Sequence, residues 1–149
     1  MSETRPRRIG RSLGALAAGF TIVVILTLAT DIALHAAGVL PPLGQPTSNP
    51  LVLLLATVYR TVYGITGSYI TARLAPERPM QHALAGGVVG LVLSTVGAVV
   101  TWNKGPAFGP HWYPVALIVL AMPTAWAGGR IACTQLSIRT AVSEIETGG

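Results

Sequence analysis

Four apolar runs divide the chain, and each is continuous instead of alternating. They extend from Leu13 to Leu40, Leu51 to Ala72, Met80 to Trp102 and Pro114 to Ala132. A helix rising 1.5 Å per residue needs about 20 residues to cross a hydrocarbon core about 30 Å thick, and every run is close to that length or longer. None shows the period-2 pattern of a barrel strand, so helices are expected. The punctuation between the runs agrees. "PPLGQPTSNP" separates the first two, "RLAPERP" closes the second with two prolines and three charges, and "NKGPAFGPHWY" forms a Gly/Pro loop before the fourth. The pattern predicts an all-α, four-helix membrane bundle over 13–133, preceded by a basic segment at 1–12 and followed by a polar tail at 134–149.

Composition strengthens this assignment. Charged residues make up 10% of the 149-residue chain and apolar residues 51%, with a mean hydropathy of +0.60, against about 25% charged in soluble domains. The net charge of +5 does not form a basic face interleaved with aromatics, so nucleic acid is not an expected partner. The basic residues read instead as topology signals. Arg5, Arg7, Arg8, Arg11, Arg73, Arg78, Arg130 and Arg139 fall on one side of the four-span arrangement, and Lys104 on the other. Both termini are therefore expected in the cytoplasm, with the chain in an inner (plasma) membrane. Trp102, Phe108, Trp112 and Tyr113 would lie at the opposite headgroup level. The basic start before the first run resembles a secretory signal. However, the apolar stretch is longer than a signal core and no small-x-small cleavage site follows, so retention as a span is expected.

Two charges interrupt the apolar runs. Asp31 lies nine residues before Leu40, and Arg60 nine residues after Leu51, which puts both at one depth across the first hairpin, about 13 Å from its end. The other acids, Glu3, Glu77, Glu144 and Glu146, belong to the charged flanks. An arginine at the centre of a span costs about 2.5 to 3.5 kcal/mol on insertion scales, enough to cancel most of what the apolar residues of the second run return. A carboxylate at the same depth would offset that cost by accepting the planar guanidinium fork. The alternative places the first crossing at Leu13, with Asp31 at the interface and Arg60 snorkelling along its stem. Thr27, Asp31 and His35 share one face of the first helix, and Arg60, Tyr63, Gly64, Gly67 and Thr71 one face of the second. Such a polar seam serves either as interhelical glue or as a path for a proton or substrate.

The third run carries Ala83, Gly87, Gly90, Ser94, Gly97 and Thr101 at spacings of 4, 3, 4, 3 and 4. Small residues in one stripe let another helix approach closely, so this face is expected to pack, either on the fourth helix or on a second copy. Pro123 removes a backbone bond from the fourth helix and predicts a kink. Cys133 is the sole cysteine, which leaves no intramolecular disulfide. His35, His82 and His111 do not form a ligand cluster, and no nucleophile motif or phosphate loop is present, so neither a metal, a cofactor nor a catalytic residue is expected.

The segments "YRTVYGITGSYITARLAPERPMQHALAGGVVGLVLSTVGAV" and "HWYPVALIVLAMPTAWAGGRI" resemble small four-span bacterial membrane proteins that carry no assigned function. The resemblance implies a fold and brings no catalytic residue with it. A two-fold echo, Ala72-Arg73 ending the second run and Gly129-Arg130 ending the fourth, hints at two duplicated hairpins. The expected function is that of an accessory or packing component of the membrane, with a homo-oligomer or another membrane protein as partner besides the bilayer itself. A small proton-coupled transporter using Asp31 is the second expectation, because the chain resembles the small multidrug resistance family in having four spans and a carboxylate in the first. Arg60 and the one-sided charge bias oppose it.

Overall fold

The computed structural model describes residues 5–41, 45, 47–105 and 109–147, with side chains from Ile9 to Glu146. It contains four helices: α1 (Arg5–Ala36), α2 (Pro50–Leu74), α3 (Pro79–Thr101) and α4 (Trp112–Thr147). All four are long and apolar enough to cross a membrane. Among the described residues there is no strand.

The helix ends follow local chemistry. α1 begins earlier and stops earlier than the expected 13–40. Gly38 adopts a left-handed φ of 70°, the Gly38 N–H reaches the His35 carbonyl at 3.1 Å and the Val39 N–H reaches that of Leu34 at 3.0 Å. This double closure past the last turn ends a helix, and glycine takes it without strain. Asn49 caps α2 by accepting from the Leu51 N–H at 3.0 Å, with Pro50 in the first turn. α4 departs most from its expected range of 114–132. No Gly or Pro interrupts Cys133 to Thr147, so the expected polar tail continues the helix. At 36 residues α4 is about 54 Å long and far exceeds a hydrocarbon core of about 30 Å. It also runs through Pro123 without a break.

Packing is built on small residues. The buried apolar positions are Ala15, Leu53, Ala56, Ala72, Ala83, Ala98, Ala125 and Ala132, while Val88, Val92, Val99 and Val119 are exposed. A soluble bundle would place its large side chains inside; a bundle facing lipid gains nothing by hiding them and instead brings backbones together. α1 and α2 form one antiparallel hairpin, in which Gly19 and Gly67 face each other so closely that a Cβ on Gly67 would stand 2.8 Å from the Gly19 carbonyl. α3 and α4 form a second, with Gly87 against Ala125 and Gly129 against Ala83. The hairpins join through α2 and α4, which run parallel: Gly64 meets Thr124, and Gly128 meets Ser68. α1 touches α3 lightly, and a cleft opens between them.

The stripe on α3 divides along its length. Ala83 and Gly87 pack on α4, as expected. Gly90 and Gly97 do not, for nothing lies within 4 Å of the position a Cβ would take on either. Ser94 lines the cleft. A strict 3.5-residue spacing drifts by about 20° per heptad on a helix of 3.6 residues per turn. That drift turns the stripe away from α4 towards the open side, while Ala98 takes the buried position.

Candidate functional site

Asp31 and Arg60 meet inside the bundle. Arg60 Nη2 donates to Asp31 Oδ2 at 3.2 Å, closing an ion pair whose side chains are 34% and 25% exposed respectively. The second carboxylate oxygen accepts from the Tyr59 hydroxyl. The other arm of the guanidinium, Nη1, donates to the Tyr113 hydroxyl at 2.7 Å. The fork is thus divided between α1 and α4 and does not grip the carboxylate with both arms. Arg60 Cζ also lies 5.9 Å from the ring centroids of both Tyr59 and Tyr113, within range of their negative faces. Arg60 Nε is buried without a hydrogen-bond partner among the described residues.

Backbone geometry explains why these groups converge. Arg60 lies ten residues after Pro50, the start of α2, a rise of about 15 Å. Tyr113 stands in the first turn of α4, level with the start of α2, since Gly109 adjoins Leu53. Arg60 therefore extends towards the helix starts and Tyr113 reaches down to it. Asp31, on the antiparallel α1, stands beside Tyr59. The result is a polar clasp binding α1, α2 and α4 at one depth.

The remaining seam residues take separate places. Tyr63 pairs with Thr30 of α1, hydroxyl to hydroxyl at 2.7 Å, and its ring lies 5.7 Å from that of Tyr59. His35 Nδ1 is 2.6 Å from the Asp31 backbone carbonyl, an attachment within one turn that leaves the carboxylate to Tyr59 and Arg60. Thr27 faces the cleft. His82 and His111 stand elsewhere, His82 against the Arg78 carbonyl and His111 stacked on Trp102. The sequence reading missed Tyr59, Thr30 and Tyr113 as members of the cluster. A tyrosine directly before the arginine was a usable signal for the first. Tyr113 looked like an interfacial aromatic, and its role depends on the parallel pairing of α2 and α4.

The cleft between α1 and α3 has a volume of about 490 Å³, and all four helices contribute to its walls. Asp31 and Arg60 stand at one end and Leu16 and Thr71 towards the other. Its sides are mostly apolar, with hydroxyls from Thr27, Thr61, Ser68, Ser94 and Thr124 set among them.

No family model matches the chain, and neither a curated protein nor a solved structure matches it.

Proposed function

We propose that this protein is a non-catalytic accessory component of a bacterial inner membrane, inserted with both termini in the cytoplasm and working within a larger assembly of its own copies or with another membrane protein. The observation that supports this reading is the clasp. Asp31 is committed to Tyr59 and Arg60, and Arg60 also to Tyr113, so the intramembrane charges neutralise each other and tie three helices together. A transporter's carboxylate has to be released and reloaded during its cycle, whereas both oxygens of Asp31 are held by partners on α2. Intramembrane charges that satisfy one another make a static scaffold instead.

The second reading, a small proton-coupled transporter, draws on a specific feature: Asp31 also lines the cleft. The two are separated by reconstituting the wild type and Asp31→Asn in liposomes under an imposed pH gradient, with a trapped pH dye as readout and detergent melting as the folding control. The accessory reading expects wild-type flux equal to that of empty liposomes and a lower melting temperature for the variant. Flux from the wild type that a folded Asp31→Asn variant loses would put the transporter first. Crosslinking of the full chain in membranes checks the assembly: adducts of defined size are expected, and a strict monomer at native abundance would contradict it.

A further inference from the structure

We propose that the cleft between α1 and α3 binds one uncharged, hydrogen-bonding amphiphile drawn from the bilayer. Its polar head lies against Thr27, Ser94 and the Asp31–Arg60 pair, and its chain runs past Val23 and Phe20 towards Leu16. This inference requires the chain to be in a membrane and is independent of the accessory reading.

The hydroxyls carry the argument. Serine and threonine in a membrane helix ordinarily return their hydrogen bond to a carbonyl one turn back, which satisfies the group without a neighbour. Thr57, Thr61, Thr66, Thr95, Thr101 and Thr124 all do so here. Thr27 and Ser94 line the cleft and, among the described residues, their hydroxyls make no hydrogen bond. Two hydroxyls, one from α1 and one from α3, thus face the Asp31–Arg60 end of one space with their bonding capacity unused. In a low-dielectric setting a polar group without a partner is costly, so a site built this way is complete with a guest that can donate and accept.

The mouth identifies the source of the guest. Phe20, Leu28 and Val89 line the cleft and are 51%, 56% and 47% exposed. These apolar side chains on α1 and α3 frame an opening on the face that meets lipid, so entry is lateral, from within the bilayer. Shape selects a chain: Asp31 and Leu16, both in the lining, are fifteen residues apart on α1, a span of about 22 Å. Gly90, with nothing within 4 Å of its Cβ position, leaves the wall open where the head would turn in.

Charge selects the head. Asp31 and Arg60 cancel, so a phosphate or ammonium would bring an uncompensated charge to a depth where each existing charge needs its partner. A neutral group with hydroxyl or carbonyl oxygens adds no charge, can accept from the hydroxyls and can donate to the carboxylate edge.

The test is photolabelling of the full chain in lipid nanodiscs with three probes sharing one diazirine-bearing acyl or alkyl chain: a monoacylglycerol, a lysophosphatidic acid and the plain hydrocarbon. The monoacylglycerol should label peptides containing Phe20 and Val89 about tenfold more than either other probe, the discrimination expected from one or two hydrogen bonds. Thr27→Val with Ser94→Val should abolish that preference, and Thr95→Val, whose hydroxyl serves its own helix, should keep it. Should the double variant fail to fold, Gly90→Leu fills the open wall and should lower labelling to the hydrocarbon level. Equal labelling by all three probes, or retention of the preference in Gly90→Leu, would overturn the site. Stronger labelling by the phosphate probe would overturn the neutral head.

Discussion

Arg60 Nη2 and Asp31 Oδ2 meet at 3.2 Å across 29 positions of chain, and the same guanidinium bonds the Tyr113 hydroxyl of a third helix at 2.7 Å. This division of one fork between two partners has energetic consequences. Removing either partner leaves a charged donor inside the bundle with part of its bonding capacity unused, at greater cost than losing a neutral contact.

Tyr113→Phe is therefore expected to destabilise the protein by about 1–3 kcal/mol, the range for leaving a buried polar group unsatisfied. Tyr63→Phe breaks a bond between two neutral hydroxyls and should cost nearer to about 0.6 kcal/mol, the average for such contacts in membranes. Unfolding titrations in mixed micelles measure both, and the order of the two variants is the result that matters.

The division of the α3 stripe gives a second pair. A side chain on Gly87 would run into Ala125, so Gly87→Leu should lower stability by about 1–3 kcal/mol through overpacking. Gly90→Leu projects into open space and should stay within about 0.5 kcal/mol of wild type. Melting temperatures in one detergent would show the difference, and equal losses would mean that the whole stripe packs.

The relation between α3 and its sequence illustrates what was legible. Small residues at helical spacing marked the helix and a packing face at Ala83 and Gly87, but the position at which the face leaves its neighbour depends on helix crossing and drift, which one helix does not encode. The pairing of Asp31 with Arg60 was legible from counting residues off the hairpin, but their levels were not. α1 ends at Ala36, so Asp31 lies five residues inside its helix, whereas Arg60 lies ten inside α2. The long arginine side chain spans the difference. The role of Tyr113 was hidden, since it needs α2 and α4 to run parallel and side by side, a tertiary choice. The helical continuation of α4 past Ala132 was missed for a simpler reason. Polarity marks where apolar character ends, whereas a helix ends at a breaker, and Cys133 to Thr147 contains none.

The charge bias predicts an orientation. Reporter fusions at Gly149 and within the 73–79 turn should report cytoplasm, and fusions at Gln45 and Gly105 the opposite side, because Arg73, Arg78, Arg130 and Arg139 flank the first two sites and Lys104 alone the others. A C-terminal fusion active on the outer side would reverse the assignment.

Asp31 and Arg60 stabilise the bundle as a pair, and a double-mutant cycle on Asp31→Ala and Arg60→Ala reads their coupling. Each single variant should be destabilised by the uncompensated charge it leaves behind. The double variant should lose less than the sum, by a coupling of about 1–3 kcal/mol, as groups in direct contact show. Additivity within about 0.5 kcal/mol, with both single variants stable, would mean that the two charges do not act as a pair and that Arg60 finds its own way to water.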